Sequence, residues 1–390
     1  MAVSTRTPRV AGWRTLAVAA ATGLALAGTT QSAMAAEGQL ELGALMPMTG
    51  DLQAYGQTCL NGVNLAVKEI NAAGGVFGND VQVRVGDTQT KPQAGIDAAK
   101  KLVSIEGVSA IVGALSSGVT IPVAQSVTSV EGVPQVSPAS TSPVITGLDD
   151  NDYMFRSVPS DAFQGKALAE VTNEAGMDNV SILYVNNDYG EGLADSFSSA
   201  FEGMGGSVDQ SLAYEPGNAS YRGELSKAAG GGAEALVLIG YPENGVTILR
   251  QAVEGGHFGK FVFTDGMKAP EIIEAVGASV LNGSFGTAPQ ALSDTESAKH
   301  FDAAYNDEFG EKPPKPFIDT AYDAAYVLAL AAEAAGTTDA GAVRDQLRQV
   351  ANPPGEVVLP GEWAKAKQLL AEGKDIDYKG ASGSINFDDA

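Results

Sequence analysis

Residues 40–76 read LELGALMPMTGDLQAYGQTCLNGVNLAVKEINAAGGV. An apolar run of strand length, 40–46, leads through Pro47-Met48-Thr49-Gly50 into residues with helical apolar spacing, Leu60, Val63 and Val67 sharing one face. The spacing predicts a helix over 55–73 that stops at Gly74-Gly75, since glycine accepts the left-handed turn at a helix C-terminus. This is one strand–helix unit, and the same grammar repeats. Val81, Val83 and Val85 alternate as a strand; a helix follows at 92–105, a buried strand at 110–113 and a helix at 119–130. A second series places strands at 180–185, 208–214, 235–239 and 261–264, with helices at 190–203, 221–229 and 244–255. Strands alternating with helices of this length require crossover connections and a parallel sheet. Two such series predict an α/β chain of two doubly wound parallel-sheet lobes.

Beyond 283 the alternation gives way to helices at 295–309, 318–335 and 342–350. If these pack back on the first sheet, the chain crosses between lobes around 155–161, 286 and 380–383, forming a multi-strand hinge of the Venus-flytrap kind. The expected division is 37–157 with 287–380 as lobe 1, and 158–286 with 381–390 as lobe 2.

The first 36 residues read as an export signal. Arg6, Arg9 and Arg14 precede the apolar run 16–26, which is shorter than the roughly 20 residues a membrane span needs. Ala33-Met34-Ala35 supplies a small-x-small cleavage pattern, with cutting expected after Ala35 or Ala36. No cysteine follows at a lipidation position, so a free periplasmic protein is expected. Without the leader, 21 basic residues face 47 acidic ones, a net of −26. Such a surface repels nucleic acid and anionic lipid. Cys59 is the only cysteine, so no intramolecular disulfide can form; among Leu60, Val63 and Val67 it reads as a packed apolar residue.

Enzyme signatures are weak. Gly190-Glu191-Gly192 opens a helix after a strand, but Asp195 stands where a dinucleotide-binding loop needs glycine. His257 and His300 are the only histidines, and there is neither a phosphate loop nor a nucleophile elbow. No catalytic activity, cofactor or metal is expected.

In open α/β sheets ligands bind beyond the carboxyl ends of the strands. Those positions carry Tyr55, Ser116-Ser117, Ala139-Ser140-Thr141, Tyr189, Tyr241 and Asp265. A serine-rich helix start suits a carboxylate, because free N–H groups and the helix dipole favour an anion. It equally suits simple helix capping. Asp265 could receive an ammonium group or face solvent as a loop cap, and the three tyrosines could wall a pocket while offering hydroxyls.

The stretches Gly43-Ala44-Leu45, Thr49-Gly50, Tyr55-Gly56 and 71–76 resemble the N-terminal signature of the leucine/isoleucine/valine-binding proteins. These are type I periplasmic binding proteins of branched-chain amino-acid ABC importers. Ile111-Val112-Gly113, Ser137-Pro138-Ala139-Ser140-Thr141, Tyr189-Gly190-Glu191-Gly192, Leu249-Arg250-Gln251-Ala252 and the ending 378–388 extend the resemblance over nearly the whole chain. The resemblance implies that Ser117 and the Ala139 backbone hold a ligand carboxylate, Thr141 and Asp265 its amino group, and Tyr55, Tyr189 and Tyr241 its side chain. Glutamate is common at the position of Asp265. Ser116 stands where the family has one half of a disulfide, and the chain ends at Ala390, where the family continues with further strand. The function implied is capture of a branched-chain or related amino acid by a monomer that delivers it to membrane permease subunits. The alternatives are an amide, urea or aromatic carboxylate as ligand, or a sensing role.

Overall fold

The computed structural model describes residues 38–388. The expected leader and its cleavage site lie outside them. The first series is β1 (Glu41–Met46), α1 (Gln53–Ala72), β2 (Gln82–Asp87), α2 (Pro92–Ser104), β3 (Ala110–Gly113), α3 (Ser117–Val123), α4 (Ser129–Glu131), β4 (Gln135–Ser137) and β5 (Met154–Arg156). Its strands form a sheet ordered β2-β1-β3-β4-β5 with every pair parallel. The second series is α5 (Asp161–Glu174), β6 (Asn179–Val185), α6 (Asp188–Gly203), β7 (Ser207–Tyr214), α7 (Arg222–Ala228), β8 (Ala235–Ile239), α8 (Pro242–Glu254), β9 (Phe261–Phe263), α9 (Pro270–Val276) and β10 (Phe285–Gly286). Its parallel sheet runs β10-β9-β8-β6-β7. Both sheets therefore wind in one sense, outward from the first strand, across and onward. In each, the order reverses beside the first strand, and the cleft belongs at that switch point.

The strands form where the sequence is apolar without alternation. β3 and β8 are buried along their whole length, as strands covered by helices on both faces must be. The predicted helix at 119–130 is longer and less regular: α3 passes through a π-helical stretch, Ala124–Thr128, into α4. Pro122, which has no N–H to give the ladder, sits just ahead of that widening.

The chain then adds α10 (Glu296–Phe309), α11 (Ile318–Ala335), α12 (Ala340–Ala351), β11 (Glu356–Val358), α13 (Trp363–Ala371) and β12 (Ile376–Tyr378). α11 is apolar nearly all round and buried, packed against α1 and α12. The short parallel pair β11–β12 has no counterpart in the helical reading of this region, because three-residue strands carry no periodic signal.

Three stretches, 157–160, 287–295 and 379–388, follow β5, β10 and β12 respectively. Ser157 Oγ donates to the Thr320 carbonyl at 3.0 Å, tying the first stretch to α11. The third is gathered by Asp323 of α11, which is fully buried and accepts from Tyr378 Oη (2.8 Å), Ala381 N (2.7 Å), Ser382 N (2.8 Å) and Ser382 Oγ (2.6 Å). A Cβ on Gly380 would stand 2.4 Å from an Asp323 oxygen, so only glycine lets the chain pass this close. Replacing Asp323 by alanine orphans several buried donors. It is expected to lower stability in urea denaturation by about 2–4 kcal/mol, and Gly380→Ala should act in the same direction.

Candidate functional site

The loops after β1, β3 and β4 of one sheet face those after β6, β8 and β9 of the other, and a small cavity lies between them. Tyr55, Ser116, Ser117, Ala139, Tyr189, Tyr241 and Asp265 line it, together with Leu52, Leu115, Gly266 and Phe317. Its volume is about 20 Å³, little more than one water occupies, so this conformation is a closed clamp. Side chains span the gap directly. Tyr55 Oη lies 2.9 Å from the Asp265 carbonyl and 3.1 Å from that of Lys268. Ser116 Oγ and Tyr241 Oη are 2.9 Å apart. Lys315, just ahead of α11, bonds both the Ala54 carbonyl and the Glu271 carboxylate of α9.

The serines divide their work in a way the sequence left open. Ser116 occupies the N-cap position of α3 but makes no cap bond, its hydroxyl being engaged with Tyr241. Ser117 Oγ accepts from Ser142 N at 3.2 Å and still faces the cavity. Ser140 and Thr141 do not line it. Ser140 Oγ is committed within its own lobe, 2.7 Å from Thr120 Oγ1 and 3.1 Å from the Leu115 carbonyl. The Thr141 hydroxyl is buried, with no well-formed hydrogen bond.

Thr141 belongs to a second cluster, which sequence reasoning missed. Asp161, the first residue of α5, is wholly buried, and neither carboxyl oxygen has a well-formed partner. Gln164, one turn later, donates through Nε2 to Asp265 Oδ1 (2.8 Å) and to the Thr287 carbonyl (3.1 Å), leaving its own Oε1 without a partner. Tyr189 Oη donates to the same Asp265 oxygen at 2.8 Å. An acid in the first turn of a helix is ordinary, so nothing in the sequence set Asp161 apart from a residue placed for the dipole.

Burial sets the charge balance here. It pushes Asp265 up to about 6, against the pull of the bonds from Tyr189 and Gln164. Asp161 is raised well above the carboxylate range, first by burial and then by the neighbouring Asp265 charge. Burial raises Tyr189 and Tyr241 as well, so both stay neutral donors. Their rings stack with centroids 5.7 Å apart and an interplanar angle of 13°. Phe317 closes another wall, its ring 6.1 Å from that of Tyr55. Its φ of 73° is the left-handed region, which a bulky residue enters only when its surroundings force it.

What this arrangement defines is a two-lobed clamp for a small polar molecule: hydroxyls and a helix start on one lobe, buried carboxyls on the other. The chain belongs to the periplasmic binding protein family, whose family model matches residues 39–368. A Leu/Ile/Val-binding protein homolog of Brucella melitensis is 30% identical over 319 residues, 81% of this chain and 84% of that protein. The chemotactic signal transduction system substrate-binding protein BasB of Halobacterium salinarum is 27% identical over 354 residues, covering 89% of this chain and 83% of it. Among solved structures, the leucine-binding protein LivK of Thermotoga maritima superposes with a TM-score of 0.76 at 27% identity. That match covers 90% of this chain and 91% of LivK. Members of this family bind solutes, and branched-chain amino-acid ABC importers use them.

Closure brings backbone as well as side chains together. A Cβ on Gly192 of α6 would meet Pro143 Cδ at 2.8 Å, and one on Gly118 of α3 would meet Asn187 Cβ at 3.0 Å. A large side chain at either glycine should wedge the lobes apart. Gly118→Leu is expected to weaken ligand binding at least about tenfold while the melting temperature of the free protein barely moves, as read by calorimetry.

Proposed function

We propose that this clamp captures a free α-amino acid with an apolar side chain, of the branched-chain class, outside the cytoplasm and presents it to membrane permease subunits. One observation carries the reading: a single cavity is lined at once by Ser117 and Ala139 from one lobe and by Asp265 from the other. Ser117 and the start of α3 take the carboxylate, through a hydroxyl, backbone N–H groups and the helix dipole. Asp265, backed by Asp161 and the Thr141 hydroxyl, takes the ammonium. Tyr55, Tyr189, Tyr241 and Phe317 enclose the side chain. On this reading the protein binds its ligand without reaction and works as a monomer.

Each lobe holds one pole of the ligand, so the zwitterion has more contacts in the closed clamp than in the open one. That difference in affinity is what shifts the population. A sensing role is the second reading; it draws on the naming of the Halobacterium relative as part of a chemotactic system.

A thermal-shift panel of free amino acids, amides, urea and aromatic acids checks the ligand class. Leucine, isoleucine or valine should raise the melting temperature by several degrees, and benzoate or urea should not. Asp265→Asn should lose amino-acid binding by about a hundredfold or more, since a buried ion pair without one partner is strongly unfavourable.

The pH dependence has a definite sign. In the closed clamp burial pushes Asp265 up to about 6, and only its charged form holds an ammonium. Affinity should be flat above neutrality and fall as pH drops through 6, approaching tenfold per unit in calorimetric titrations.

A further inference from the structure

At the start of helix α1 its own lobe supplies one side-chain acceptor, Thr90 Oγ1, which takes Leu52 N at 3.0 Å and leaves the first-turn N–H of Ala54 to be met from elsewhere. Leu52, at the N-cap position, makes no cap bond with its own side chain, and the first turn contains no acid. In the closed clamp the acceptor comes from the opposite lobe: Glu243, in the first turn of α8, accepts from Ala54 N through Oε1 at 3.3 Å. The start of α8 is uncapped in the same way, with Tyr241 at its N-cap position making no cap bond. Its Asn244 reaches back across the cleft, Nδ2 donating to Asp51 Oδ1 at 3.0 Å. That amide is held in orientation because its Oδ1 accepts from Gly217 N and Tyr221 Oη, each at 2.8 Å. Neither Glu243, Asn244 nor Asp51 lines the ligand cavity.

We propose that these reciprocal contacts are a closure latch, in which Glu243 caps α1 across the cleft and Asn244 binds Asp51, setting the ligand's residence time without touching it. The latch rests on the reading of the cleft as an amino-acid clamp. Opening strips Ala54 N of its side-chain acceptor, while the Thr90 bond to Leu52 N stays within the lobe, so the Glu243 cap stabilises the closed state alone. Asn244 and Asp51 are positioning residues in this account, and so is Glu243.

The latch also takes up a proton. Glu243 is pushed up to about 7, by burial first and with the Asp51 charge adding to it; its Oε2 is buried with no partner. Gln53 and Ala54 N of α1 face it and pull the other way. Lys315 bonds the Ala54 carbonyl and is itself occupied by Glu271. In an open clamp the Glu243 carboxyl returns toward its ordinary value of 4.5. Its contribution to closure is therefore full below that value and lost as pH rises through about 7. Asp265, pushed up to about 6, titrates close by with the opposite effect on ammonium binding, so the signature is the difference between wild type and Glu243→Gln.

Two measurements on the full chain decide the matter: dissociation of radiolabelled L-leucine in a chase, and the distance between spin labels at Ile105 and Val253 in the free protein, both at pH 6 and pH 8. At pH 6, Glu243→Ala should speed dissociation about five- to tenfold and shift the distances toward longer values, and the difference from wild type should narrow at pH 8. Glu243→Gln, whose amide oxygen can still accept from Ala54 N, should restore most of the slow dissociation and remove the part of the pH dependence that Glu243 supplies. Dissociation from Glu243→Ala within twofold of wild type at pH 6, with unchanged distances, overturns the latch; so does a wild-type pH profile in Glu243→Gln. If wild type binds no leucine, the amino-acid reading fails, and the label distances alone still decide the latch.

Discussion

A carboxyl group buried without a cation beside it is costly, because burial strips the charged form of its water. This protein has two together, Asp161 and Asp265; the Arg156 charge eases Asp161, but no ion pair reaches either carboxyl among the described residues. Their surroundings hold them in place all the same: Gln164 and Tyr189 fix Asp265, and the first turn of α5 fixes Asp161. In the proposed reading the ligand's ammonium supplies the positive charge that completes the site. Everything else about the clamp follows from needing that charge, and its opposite on the same molecule, to be met from two sides.

Parallel winding makes two sides available. A right-handed strand–helix–strand path delivers every loop at the carboxyl end of a sheet. Two sheets with the same strand order, facing each other, put six such loops around one space. The connecting stretches are then what limit the motion. Asp323 draws the third of them against α11 with three hydrogen bonds, and a fourth from Tyr378 at the end of β12 anchors its base. Closing brings tyrosine hydroxyls, glycine backbones and two uncapped helix starts into contact.

Much of this was legible in the sequence. Buried parallel strands such as β3 and β8 are unbroken apolar runs, and glycine punctuates the helices they feed, so the α/β series could be read directly. The cleft-facing loops were legible because topology assigns them, and seven of the nine residues named from that rule line one cavity. What stayed hidden has a common cause: it depends on the partner lobe. Ser116 reads as a helix cap until Tyr241 is beside it. Glu243 reads as a first-turn acid until α1 arrives from the other side. Asp161 looks like any acid at a helix start, and nothing local warns that Phe317 adopts a left-handed backbone. Ser140 shows the converse: a hydroxyl in a ligand loop whose bonds all turn inward.

The central claim is that the ligand's two charges are divided between the lobes, so that only a molecule carrying both closes the clamp. Calorimetric titration of L-leucine against two fragments of it, 4-methylpentanoate lacking the amino group and 3-methylbutylamine lacking the carboxylate, tests this most directly. The account predicts tight binding of leucine and no measurable binding of either fragment at millimolar concentration. Binding of either fragment within tenfold of leucine would contradict it.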